Sequence, residues 1–87
     1  MKYLKREWDE LRGDEFDFWG TSMWYFELSN DNSVTRQIEV YKNGPSLKYD
    51  EQHTEDEYGA LSDQPLDIED DGYVVIDKAE FENIWSK

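Results

Sequence analysis

Val34-Thr35-Arg36-Gln37-Ile38-Glu39-Val40-Tyr41-Lys42-Asn43-Gly44-Pro45-Ser46-Leu47-Lys48-Tyr49 is the stretch whose reading decides the fold. Strand side chains alternate with period 2, so Val34, Ile38 and Val40 are expected on one face and Thr35, Gln37, Glu39 and Tyr41 on the other. Asn43-Gly44 can take positive φ at both central positions of a two-residue turn, a strong short-range hairpin signal. Pro45 has no N–H to give a ladder, so it belongs at the start of an edge strand. The hairpin is expected in the middle of an antiparallel sheet.

Working outward, residues 3–8 read as a first strand in which Leu4 and Trp8 share a face with Arg6 between them, a pattern that suits a sheet edge or a barrel-like end better than a central position. Residues 9–20 form a polar connection with Gly13-Asp14 as its turn signal. That connection interleaves Phe16, Phe18 and Trp19 with Asp14, Glu15 and Asp17, so its rings either fold back onto the core or are offered to a partner. In the second strand, residues 21–28, Trp24, Phe26 and Leu28 line one face and Met23, Tyr25 and Glu27 the other. Ser29-Asn30-Asp31-Asn32-Ser33 is a turn, because Asn and Asp tolerate left-handed backbone and bond their own main chain. The alternation leaves Tyr25, Glu27, Glu39, Tyr41 and Tyr49 on the side opposite the aliphatics, a face expected to be half solvated.

Residues 50–72 break the periodicity. They hold ten acids and no base, punctuated by Gly59, Pro65 and Gly72, and read as loop with a short strand at 66–68. Tyr73-Val74-Val75-Ile76 is the last strand, after which the period changes. Asp77 is a good N-cap, Glu80 three residues on completes a capping box, and Ile76 can staple onto Phe81. Phe81, Ile84 and Trp85 then share one helical stripe. A helix of about two turns is too short to stand alone and must dock on the sheet. The expected class is therefore α+β: one domain, residues 1–87, with a four- to five-stranded mainly antiparallel sheet and a short C-terminal helix packed on it.

Twenty-two acidic against nine basic residues give a formal charge of −13, which repels nucleic-acid phosphate and anionic lipid and attracts cations or basic proteins. Cysteine is absent, which removes disulfides, thiolate metal sites and a cysteine nucleophile and suits a cytoplasmic location. The stretch from Met1 to Glu7 has no apolar run resembling a signal peptide, and no stretch is long and apolar enough to span a membrane. The one histidine, His53, lies in the acidic loop without a nucleophile elbow anywhere in the chain, so no catalytic set is expected. From Asp67 onward the chain imitates a calcium-binding loop, with acids at positions 1, 3 and 5 and Gly72 at position 6. It fails at position 12, where Lys78 replaces the bidentate glutamate, so neither a metal nor a cofactor is expected.

Three segments together resemble a family of small uncharacterised bacterial domains: Tyr3-Leu4-Lys5-Arg6-Glu7-Trp8, the stretch from Arg36 to Gly44, and Ile76-Asp77-Lys78-Ala79-Glu80-Phe81-Glu82-Asn83-Ile84-Trp85. Such small acidic proteins are similar in kind to the immunity proteins of polymorphic or contact-dependent toxins. The resemblance implies an inhibitor that binds a cognate basic toxin, often a nuclease, and no catalytic set. On that reading Asp50, Glu51, Glu55, Asp56, Glu57, Asp70 and Asp71 steer the encounter, while Tyr49, Tyr58, Phe18 and Trp19 anchor it. The alternative is a phage-type nucleic-acid mimic, in which spaced carboxylates occupy the basic groove of a DNA-binding or defence protein. Neither nucleic acid, membrane nor small molecule is expected as the partner.

Overall fold

A computed structural model describes residues 1–69 and 72–87. The chain runs β1 (Lys2–Trp8), a 3₁₀ turn (Asp17–Trp19), β2 (Ser22–Leu28), β3 (Val34–Tyr41), β4 (Ser46–Asp50), β5 (Tyr73–Ile76) and α1 (Lys78–Trp85). All neighbouring strands are antiparallel, in the order β4-β3-β2-β1-β5. The α+β class, with its five-stranded antiparallel sheet and short C-terminal helix, is the one expected. The hairpin β3–β4 lies at one end of the sheet rather than in its middle, with β4 as the edge strand that Pro45 indicated. β1 is interior instead of an edge, because β5 returns to pair with it from Tyr3↔Ile76 to Arg6↔Tyr73. Arg6 is tolerated there because its guanidinium lies over the rings of Trp8 (5.4 Å) and Tyr73 (5.0 Å).

The register shifts between Glu27 and Leu28, so that Glu27 opposes Arg36 and Leu28 opposes Val34. Thr35 is the extra residue of this bulge, and its hydroxyl donates to the Glu27 carbonyl (3.1 Å) and carboxylate (2.8 Å). An extra residue inverts the side-chain alternation. Val34 therefore joins Leu4, Phe26 and Leu28 on one face, while Ile38 lies on the other, contrary to the shared face expected from period 2. The same register divides the five residues expected together. Glu39, Tyr41 and Tyr49 lie on the face of Phe26 and Leu47; Tyr25 and Glu27 lie on the face of Ile38.

Each face has its own cover. The helix lies over the Ile38 face, where Phe81 and Ile38 are wholly buried and Phe81 packs on Tyr3 at 5.3 Å. Arg36 reaches up from β3 into this layer, stacked on Phe81 (4.8 Å) and Trp85 (5.0 Å). It grips Glu27 through two nitrogens, at 3.0 and 2.5 Å, and also pairs with Glu82. The Asp77 carboxylate caps α1 by accepting from the Glu80 N–H (2.8 Å), but the Glu80 side chain leaves the expected box to pair with Lys5 (3.0 Å). The opposite face is covered by irregular chain, residues 9–20 and 51–69, packed on two aromatic-rich clusters. The strand expected at 66–68 is absent: Leu66 packs on the first cluster, and its N–H bonds the Asn32 carbonyl (3.0 Å) instead of a ladder.

Candidate partner-binding face

The two loops over the second face are joined by Arg12, the one base among their acids. Its guanidinium donates to Asp14 (3.1 Å), to the Tyr41 hydroxyl (3.0 Å) and to the Tyr58 carbonyl (2.7 Å), and stacks over Phe16, Trp19 and Tyr41. Burial works against its charge, but the Tyr41 and Asp14 hydrogen bonds more than offset this, and its pKa is raised. Phe16 lies edge-on to Tyr58 (5.3 Å) and stacks on Trp19 (4.5 Å), so aromatic contact continues the same junction.

Beneath it lies a buried polar row. Glu39, 3% exposed, accepts from the Tyr41 hydroxyl (2.8 Å) and from the Gln37 amide (2.9 Å). Gln37 also donates to the Ala60 carbonyl (3.1 Å) and accepts from the Ser62 N–H (3.0 Å), which fixes the second loop to the sheet. Burial raises the Glu39 pKa against the opposing pull of those two donors, and pushes the Tyr41 phenol up to about 12. These groups form hydrogen-bonded framework; no nucleophile–base pair lies among them.

The candidate binding residues divide by what the fold asks of them. Tyr49 is wholly buried and donates its hydroxyl to Asp56 (2.9 Å), and Trp19 is 7% exposed inside the second cluster. Both rings are core, so neither is presented as an anchor; large rings with neighbours on both loops bury more area inside than outside. Asp56 accepts from the N–H groups of Tyr58 (2.8 Å) and Gly59 (3.1 Å). Burial pulls its carboxyl up, but the Tyr58, Tyr49 and Gly59 donors outweigh this and hold its pKa below the ordinary value. Asp50 accepts from the Gln52 (2.9 Å) and His53 (2.8 Å) N–H groups and so shapes the next turn, while His53 stacks on Tyr49 at 5.8 Å. Glu51, Glu55 and Glu57 are exposed, Tyr58 is half-buried, and Phe18 is 70% exposed. Asp70 and Asp71, and with them the centre of the calcium-loop-like stretch, lie outside the described residues.

No family model, curated protein or solved structure matches this chain. The candidate face is thus defined by its own chemistry. Asp9, Glu10, Asp14, Glu15 and Asp17 of the first loop join Glu51, Glu55, Asp56, Glu57, Asp63, Asp67 and Glu69 of the second in the layer over one sheet face. Sequence reading concentrated on residues 50–72 and missed that the first loop shares this layer. Arg12, a lone base in an acidic connection, was the available signal. Helix α1 is the one α-helix among the described residues, and no helix there is long and apolar enough to cross a membrane.

Proposed function

We infer that this chain is a stoichiometric inhibitor of the immunity type, which binds a cognate basic toxin, a nuclease domain above all, through the acidic loop layer. The observation that carries this reading is the one-sided charge. Basic residues are largely engaged within the molecule: Lys5 with Glu80, Arg12 with Asp14, Arg36 with Glu27 and Glu82, Lys2 with Asn32. The layer of residues 9–17 and 51–69 meanwhile carries its carboxylates to solvent with Arg12 as its only Lys or Arg. A field of one sign over one face accelerates encounter with a basic surface. Phe18, exposed on the 3₁₀ turn beside that layer, supplies an apolar anchor.

The test is capture from the source cell's lysate at low salt, with salt elution, followed by inhibition and stoichiometry measurements on the protein retained. A single basic nuclease or toxin domain, bound one to one and inhibited, supports the reading. Replacing Glu51, Glu55 and Glu57 by Gln together should then slow association and flatten its salt dependence without lowering thermal stability. A diffuse set of basic proteins, none inhibited, overturns it, and capture of DNA-binding or defence proteins transfers the reading to nucleic-acid mimicry.

A further inference from the structure

Two cavities lie against the sheet, the larger of about 290 Å³ between it and both loops and the smaller of about 270 Å³ under the second loop, and they share Trp8, Trp24 and Ala60 as a common wall. Their chemistry differs. The smaller contains Arg6 and is otherwise lined mainly by apolar and aromatic side chains. The larger has Glu10, Asp14 and Glu39 in its lining against Arg12 alone, and Arg12 is already bonded to Asp14. Resting on the inhibitor reading, we propose that the larger cavity receives one cationic side chain, a guanidinium or ammonium, from the basic partner, with Glu39 as its counter-charge and Trp8 and Trp24 as its walls.

The size suits this occupant, because pockets for drug-sized ligands begin at roughly 300 Å³. Glu39 supplies the acceptor. Its two carboxylate oxygens take one described donor each, from Tyr41 and from Gln37, whereas an ionised carboxylate offers about four acceptor positions. A carboxylate buried beside a single engaged arginine is an unfavourable place for a charge, and a second cation reduces that cost. The walls fit the same chemistry. Trp8 and Trp24 lie 5.9 Å apart at 36°, Trp24 is fixed by its indole N–H on the Ser22 hydroxyl (2.8 Å), and Trp8 is 40% exposed. Indole is the ring whose face attracts a cation most strongly, and the Arg6 guanidinium 5.4 Å from Trp8 shows that contact within this fold. A desolvated aromatic pocket that seats an arginine is also the usual form of an interface hot spot.

The probe is N-acetyl-arginine amide, with N-acetyl-citrulline amide as its uncharged isostere, titrated into the full chain while the indole N–H resonances of Trp8 and Trp24 are followed by NMR. Expected are saturable shifts of these two resonances with the arginine probe and none with citrulline. Glu39→Gln should weaken binding by about tenfold or more, the equivalent of a lost charge-assisted contact. Because Glu39 is bonded inside the sheet layer, a second variant, Ala60→Leu, narrows the cavity from an exposed lining residue and should weaken binding equally without altering thermal stability. Equal shifts with citrulline, or full binding to Ala60→Leu, would overturn the proposal. The two readings fail separately: a captured toxin that binds Ala60→Leu like wild type removes the cavity from the interface and leaves the inhibitor reading standing. Arginine-probe binding with no basic protein captured removes the inhibitor reading.

Discussion

Gly44 provides the most direct test of how this sheet is assembled. The Asn-Gly pair was expected to serve a turn with positive φ at both positions, yet among the described residues those with positive φ are Gly13, Gly20, Asn32 and Gly72. Gly44 is needed for another reason. A Cβ placed there would lie 2.5 Å from Trp19 Cγ and 2.9 Å from its Cβ, and Trp19 is buried with Phe16, Tyr41 and Tyr58 around it. The hairpin tip is held on that loop from the other side as well, by the Asn43 N–H on the Trp19 carbonyl (2.8 Å) and the Lys42 N–H on the Thr21 carbonyl (2.9 Å). Gly44→Ala thus inserts a methyl group into a closed contact, an overpacking that costs about 1–3 kcal/mol. The loss of unfolded-chain entropy returns about 0.4–1 kcal/mol, leaving a net destabilisation of about 1–2 kcal/mol. For a domain of this size that lowers Tm by about 5–15 °C. Gly13→Ala is the control: its φ is +81° and nothing lies within 4 Å of a Cβ there, so conformation alone opposes the change. Asn, which tolerates left-handed backbone, should restore most of the stability at position 13 and none at position 44. Thermal unfolding followed by circular dichroism and tryptophan fluorescence reads both. A Gly44→Ala protein as stable as wild type, or rescue by Gly44→Asn, would refute the contact explanation.

Other consequences are as open to measurement. Glu27 has its pKa lowered, first by the Arg36 hydrogen bonds and against the pull of burial; its stabilisation is complete above the ordinary carboxylate pKa and lost as pH falls through the folded value. Urea midpoints should therefore fall on acidification, and less so in Glu27→Gln; parallel curves for the two proteins would count against the pairing. The Tyr41 phenol, raised to about 12 by burial and by Glu39, should ionise well after a free tyrosine in an ultraviolet titration, with its contribution to stability intact below pH 10.0 and lost as pH rises through about 12. Val75 is 80% exposed on β5, the edge strand opposite β4, and β5 itself has neither charge nor proline. Val75→Lys should reduce concentration-dependent aggregation seen by light scattering while changing stability by no more than about 0.5 kcal/mol.

Much of the fold was legible because local rules acted alone. Asp77 as N-cap, the Phe81–Ile84–Trp85 stripe, Pro45 before an edge strand and the four-residue β5 all follow from neighbours in sequence. The failures share a different origin. The bulge at Thr35 arises from a bond between strands, and one inserted residue was enough to move Val34 to the other face and to separate Glu27 from Glu39. Alternation alone also placed Gln37, Glu39 and Tyr41 on a half-solvated face, whereas they are 2%, 3% and 6% exposed. Polar side chains can be buried only where partners satisfy them, and here the partners come from Arg12 and from Ala60 and Ser62, remote in sequence. The candidate site depended on the same long-range junction: with Arg12 unassigned, the loop at 9–20 and the loop at 51–69 read as separate.

The distinction between Asp and Glu sorts the acidic charge more finely than its total does. Among the described residues, the carboxylates that accept backbone N–H groups are aspartates: Asp14, Asp17, Asp31, Asp50, Asp56, Asp67 and Asp77. A one-carbon stem lets the carboxylate reach main-chain N–H groups two or three residues on, or in Asp17 those of Gly13 and Asp14 before it, and so build a turn where no ladder exists. Asp31 is the extreme case, its pKa lowered to about 2 by the Ser29 hydroxyl and the Ser33 N–H. Glutamates that the fold uses are paired with side chains instead: Glu27 and Glu82 with Arg36, Glu80 with Lys5, Glu39 with Gln37 and Tyr41. Glu51 and Glu55 have neither task, and together with Glu57, which bonds the Tyr58 hydroxyl, they stand exposed between aspartates that shape their loop. Like charges held this closely repel one another and work against the compact state, an expense that solubility alone does not require at a net charge of −13. A basic surface docking on that loop would relieve the repulsion, and the relief would enter directly into its binding free energy.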